Sequence, residues 1–166
     1  MNQPQVFYAV SQRLCCFRLK GELRHTETDG LDELIQQQFA TDLQAAQGVV
    51  IDLSDAEFLD STCIGLLASI ARQCLSQGLP KPSVVVADPE LRQLLLSLRL
   101  ETVFELITPA RLPASEEALA PIDSSPPESS QHADMVLRAH EALAGLSRGN
   151  RLQFQPVIDL LRQDRG

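Results

Sequence analysis

Two short runs constrain this chain more than anything else in it. Val49-Val50-Ile51-Asp52-Leu53 and Val84-Val85-Val86 are nearly all apolar and rich in β-branched residues, the pattern of strands buried on both faces of a sheet. Between them, from Ser61 to Gln77, apolar residues at 63, 64, 66, 67, 70, 71, 74 and 75 sweep a wide helical face, which stops at Gly78 and Pro80. A strand, a crossover helix and a second strand imply parallel pairing, so the spacing predicts a sheet with helices packed against it.

The flanking segments extend that pattern. Phe7 to Val10 and Leu14 to Leu19 are β-rich and separated by Ser11-Gln12-Arg13, which predicts a hairpin closed by Gly21. Leu31, Leu34, Ile35, Phe39 and Leu43 follow helical spacing, with Asp29 as the expected N-cap and Gly48 just past the end. After Val84 to Val86, Asp88-Pro89 caps a helix with Leu91, Leu94, Leu95 and Leu98 on one face, and Val103 to Ile107 offers a last strand. The order read is ββαβαβαβ, an α/β fold with a mixed sheet, over residues 1–108.

Composition then breaks. Thr108 to Gln131 holds five of the ten prolines and five serines, a density that disfavours a packed core, although Ser115 to Leu119 could form a helical turn. Residues 109–131 therefore read as a Pro/Ser-rich linker, and 132–166 as an amphipathic helical extension. In that extension Val136, Ala139, Leu143 and Leu146 step by three and four, followed by Phe154, Val157, Ile158 and Leu161, so two helical pieces fit, broken near Gly149-Asn150 or before Pro156. Five arginines against four acids give it +1, leaving −9 on residues 1–131 of a chain whose net charge is −8. Such a tail could fold back on the acidic domain, complete the fold or a homodimer, or engage a partner.

Composition also excludes. No apolar run approaches a membrane span, and Met1 to Val10 lacks the basic start and apolar stretch of a signal peptide, so a cytoplasmic protein without membrane insertion is expected. With no Trp, one Tyr and no basic cluster, the chain lacks the charge and rings of a nucleic-acid binder. Cysteines 15, 16, 63 and 74 form no CxxC pair and read as reduced core residues. His25 stands apart, and His132 and His140 are eight apart rather than four, so no metal is expected. The absence of GxxxxGK[ST] and of GxGxxG after a strand leaves no expected cofactor or nucleotide.

Chemistry concentrates where the first buried strand runs out through Ser54-Asp55-Ala56-Glu57, an acidic loop by its composition, into Asp60-Ser61-Thr62-Cys63-Ile64-Gly65. Asp60, Ser61 and Thr62 can each serve as a plain cap, accepting from the free N–H groups of a first helical turn. The same helix N-terminus, with unpaired donors and a positive dipole end, would equally accommodate a phosphoryl group on Ser61 or Thr62. Phosphate there adds charge beside Asp55, Glu57 and Asp60, enough to repel a partner surface. Catalysis is not expected. Ser61 has no His or Lys nearby in sequence, His25 is the only His of the domain, and Cys63 falls on the apolar side of its helix.

At these residues the chain resembles the STAS domain family, and within it the bacterial anti-sigma factor antagonists. The resemblance runs from Val6 to Thr108 and rests on four stretches in order: Gly21-Glu22-Leu23; Gly48 to Ser54 leading through Phe58-Leu-Asp-Ser-Thr62 to Gly65-Leu66; Val84-Val-Val-Ala-Asp-Pro89; and Leu100 to Ile107. It implies partner switching. The unphosphorylated antagonist binds an anti-sigma factor that is also a serine kinase, the kinase phosphorylates the Ser after the motif Asp, and a phosphatase resets it. Carried to this chain, the acceptor is Ser61, with Thr62 as the alternative, and Asp60, Ser61, Thr62, Cys63 and Gly65 lie on the contact face. Two departures bear on the partner. Cys63 stands where the family usually has Gly, and Arg24 stands where an acid often follows the Gly-x-Leu element, a reversal that disfavours an arginine on the partner. The second reading is a STAS scaffold or adaptor in a signalling or transport assembly, with Ser61 only a cap.

Overall fold

The computed structural model describes residues 3–109, 120–121 and 129–163. Its sheet is mixed, in the order β6-β5-β3-β2-β1-β7, with β4 pairing separately with β2. The antiparallel hairpin β1 (Gln5–Ser11) and β2 (Leu14–Leu23) turns at Gln12 and Arg13, both at positive φ, a two-residue turn whose twist matches that of its strands. β3 (Gly48–Leu53), β5 (Ser83–Val86) and β6 (Glu105–Ile107) add in parallel, as the crossover pattern requires.

β2 does not stop at Gly21. At φ 80° Gly21 takes a conformation open to glycine and marks a register shift, beyond which β2 leaves β3 and pairs with β4 (Ala56–Leu59) through Glu22↔Phe58 and Leu23↔Leu59. The segment expected as an acidic loop is therefore partly strand. Its alternation, Ala56 and Leu59 buried with Glu57 and Phe58 exposed between them, is too short to signal period two. This added strand delivers the chain to the start of the next helix.

Helix α1 begins as Asp29–Leu34, widens through a π turn at Ile35–Phe39 and closes as Ala40–Asp42. Its buried residues Leu31, Ile35, Phe39 and Leu43 recur every four, and the wider turn offsets the drift that four-residue spacing would suffer on a regular α-helix. Thr28, not Asp29, is the N-cap. Asp29 is used elsewhere, as shown below. Helices α2 (Ser61–Ser76) and α3 (Pro89–Ser97) lie where the spacing predicts. Their apolar faces join one core with Cys15, Phe17, Leu19 and Leu23 of β2 and Val49, Ile51 and Leu53 of β3.

The apolar run at β3 predicts burial on both faces, yet the face opposite this core works differently. There Asp52 accepts from Arg18 Nε at 3.1 Å, from the Ser54 amide at 2.9 Å, and from the Ser54 hydroxyl. One face of β3 is thus covered by helices and the other by an ion pair.

Ala120–Pro121 forms β7, antiparallel to β1. The helical turn expected at Ser115 to Leu119 lies outside the described residues. The tail folds as α4 (Ser129–Ala144) and α5 (Arg148–Gln163), so its break falls at residues 145–147 rather than at either expected place. Ser147 is the reason. Its Oγ accepts from the Asn150 amide at 3.0 Å and its carbonyl from Arg151, which seats Gly149 and Asn150 inside the first turn of α5. Pro156 is tolerated on the exposed side of α5, while Phe154 and Ile158 bury the other.

Candidate functional site

Asp60 organises the start of α2 with every polar atom it has. Its Oδ1 accepts from the Cys63 amide at 2.9 Å, its Oδ2 from the His25 amide at 2.6 Å, its own amide donates to the Leu23 carbonyl, and its carbonyl accepts from Ile64. One carboxylate therefore caps α2 and ties it to the end of β2. Arg24, the charge reversal noted in the sequence, is exposed beside this joint. It pairs with Glu22 at 3.1 Å and stacks over the Phe58 ring at 4.8 Å, so a neighbour already meets much of its charge.

Ser61 opens the helix and its hydroxyl meets a histidine 79 residues away. Ser61 Oγ lies 2.9 Å from His140 Nε2, and His140 Nδ1 lies 2.7 Å from the Val136 carbonyl. A carbonyl can only accept, so Nδ1 carries the proton, and in the neutral ring Nε2 is left to accept from the Ser61 hydroxyl. His140 is 5% exposed, with Phe154 edge-on at 5.7 Å between ring centroids. The sequence reading finds no base for Ser61, and the tail supplies one in space. A signal was present: His140 falls on the apolar stripe of α4 with Val136, Ala139 and Leu143, and a polar ring on such a stripe needs a buried partner.

The rest of the expected contact face is covered. Thr62, Cys63 and Gly65 are buried, leaving Asp60 and Ser61 partly exposed and Arg24 exposed. At Gly65 the backbone of α4 approaches so closely that a Cβ would lie 2.1 Å from the Ala139 carbonyl oxygen. Only glycine allows that seat. Burial and the nearby acidic charges of Asp60 and Glu27 push the Cys63 thiol far above its ordinary range, which keeps it a neutral core residue.

Polar contacts line the rim of this cover. His132 bridges Asp29, at 2.9 Å from Nδ1, and His25, at 3.1 Å from Nε2, while Arg138 forks onto Asp32 at 2.9 and 3.1 Å. Behind them, Asn150 donates to the carbonyls of Leu98 and Leu143 at 2.7 and 3.0 Å, joining the end of α3 to the tail. Among the described residues, no group of three His, Cys, Asp or Glu is placed to hold a metal, and no helix is long and apolar enough to cross a membrane.

The STAS domain family model matches residues 6–111, and the chain belongs to that family. Among solved structures, that of the anti-sigma factor antagonist SpoIIAA in its unphosphorylated form shares the fold, with a TM-score of 0.50 and 19% identity over 64% of this chain and 90% of that one. No curated protein matches the chain. The α4–α5 pair lies beyond the residues matched by the family model.

Proposed function

We propose that this protein is an anti-sigma factor antagonist acting by partner switching. It binds an anti-sigma, serine-kinase-like regulator through the start of α2 when Ser61 is unmodified, and leaves it when the kinase phosphorylates Ser61; a phosphatase restores the binding form. The observation that carries the reading is the position of Ser61 in a STAS domain: first residue of α2, directly after the capping Asp60, and partly exposed. A helix N-terminus tolerates the added phosphate, and the same charge repels an acidic or charge-matched partner. Binding rather than catalysis is favoured by the surroundings of the Ser61–His140 pair, where Phe154 packs edge-on against the buried imidazole.

The three-part organisation into a STAS domain, a Pro/Ser-rich segment after it and a helical extension, which starts at Ser129 rather than at 132, belongs to this proposal, as do a cytoplasmic location and a tail-mediated homodimer. A second reading has its own support. Because α4 sits on Gly65 and engages Ser61, the domain also suits a scaffold or adaptor whose α2 face is permanently filled in cis.

Quantitative pull-downs from the source cell's extract with wild-type, Ser61→Ala and Ser61→Asp baits separate the two. Partner switching predicts a kinase-like regulator retained by the Ala bait and lost from a folded Asp bait. Identical captures by all three would leave the scaffold reading.

A further inference from the structure

The proposed site and the tail compete for one place. A phosphoryl group on Ser61 Oγ brings three acceptor oxygens to a position now 2.9 Å from a buried imidazole, and one turn further on the helix backbones are already in contact at Gly65 and Ala139. While α4 is seated, the Ser61 hydroxyl is engaged by His140 and Gly65 is closed off by the Ala139 backbone.

α4 is seated near Ser61 by a buried apolar stripe, Met135, Ala139 and Leu143, and by polar contacts along its rim. His140 on Ser61 and Arg138 on Asp32 lie on opposite flanks of that stripe, with His132 on Asp29 at its N-terminal end, and a tail of +1 meets residues of net charge −9. Arg138 is 46% exposed, so water and salt reach that pair. The family model ends at residue 111, before this helix begins, so the pair lies outside the matched domain.

We propose that the α4–α5 pair is a cis-acting cover for the first turns of α2, shut by the Ser61–His140 hydrogen bond and the Gly65–Ala139 seat, and held open once Ser61 is phosphorylated. The modification of Ser61 rests on the function proposed above; the cover does not. Kinase access requires a molecule in which α4 has transiently lifted. Transfer of the γ-phosphoryl group from ATP then forms the Oγ–P bond, breaks the bond from that phosphorus to the β–γ bridging oxygen, releases ADP and passes the hydroxyl proton to the kinase's base. The phosphate cannot re-enter the space under His140, so a transient opening becomes a lasting one. Opening bares the apolar stripe of Met135, Ala139 and Leu143, all buried when shut.

Hydrogen exchange followed by mass spectrometry on the full chain tests this without any partner. With phosphoserine incorporated at position 61, amides of α4 are expected to exchange on the order of a hundredfold faster than in the unmodified protein, while β3 and β5 keep their protection. Arg138→Glu, which sets a carboxylate against Asp32, is expected to accelerate α4 on the order of tenfold, and adding Asp32→Arg to it should restore protection. Unchanged α4 exchange in the phosphoserine protein overturns the proposal. Loss of protection in β3 and β5 together with α4 in the Arg138→Glu protein overturns it as well, because the pair would then be an inseparable part of the core. Should the phosphoserine protein not fold, the Arg138→Glu protein and its rescue decide whether the cover separates. A failed search for a kinase-like partner would remove the proposed function and leave these exchange results standing.

Discussion

Helices α2 and α3 begin with the same device and stand in different company. Asp60 accepts from the Cys63 amide at 2.9 Å, and Asp88 accepts from the Glu90 amide at 2.9 Å, so both N-termini are capped by an aspartate. The start of α3 is open: Pro89 and Glu90 are exposed, and Asp88 borders a cleft of about 680 Å³ with Lys20, Asp55 and Glu57. The start of α2 lies under α4. Capping is a local matter of a few residues, whereas what covers a cap is brought from far along the chain, and only the second bears on whether a partner can read it.

The hardest test of this difference is at the glycine seat. Gly65→Ala puts a methyl group against the Ala139 backbone and should cost about 3 kcal/mol in urea unfolding. Gly78→Ala, at φ +72° with open space around it, should cost only about 1 kcal/mol. Equal losses would mean that α4 yields freely at Gly65.

Asn150 is next. Asn150→Ala removes the side-chain donor of the buried Leu98 carbonyl and one of two donors of the Leu143 carbonyl, which keeps the Leu146 amide, and a loss of about 2 kcal/mol is expected by the same assay. The two caps can then be compared directly. Asp60→Ala removes acceptors of both Cys63 and His25 and should cost nearly 2 kcal/mol, against about 1 kcal/mol for Asp88→Ala. A larger effect at Asp88 would reverse the comparison.

The far end of α2 supplies a pH test. Burial pushes the Cys74 thiol from 9.0 up to about 11. The unfolded chain therefore releases this proton first as pH rises, so stability is full below pH 9 and falls between pH 9 and about 11. Replacing Cys74 with Ala should flatten that decline by up to about 1.4 kcal/mol per pH unit, read from unfolding curves at pH 8, 9 and 10. The smallest effect is expected at the rim, where Arg162 and Glu141 stand 3.7 Å apart and exposed, and Arg162→Ala should change stability by less than about 0.5 kcal/mol.

Much of the domain was legible from pattern. The parallel strands, α2 and the cap of α3 follow from apolar spacing and from Asp-Pro chemistry, and Asp60-Ser61-Thr62 is marked by its residue types alone. β4 was hidden because four residues carry too little alternation, and its partner Glu22-Leu23 is reached only past the Gly21 bulge. The tail break was hidden because Ser147 outweighs the glycine, asparagine and proline that attract attention.

By itself, then, the sequence determined which segments form strands and helices, that a capped serine opens α2, and that the last 35 residues present an apolar stripe in need of burial. These are properties of neighbours a few residues apart, governed by backbone preference and periodicity. Where the stripe is buried is a property of the assembled surfaces. The close approach at Gly65 and the acids at Asp29 and Asp32 exist as a docking face only once α1 and α2 lie side by side, and only then does His140 come within 2.9 Å of Ser61.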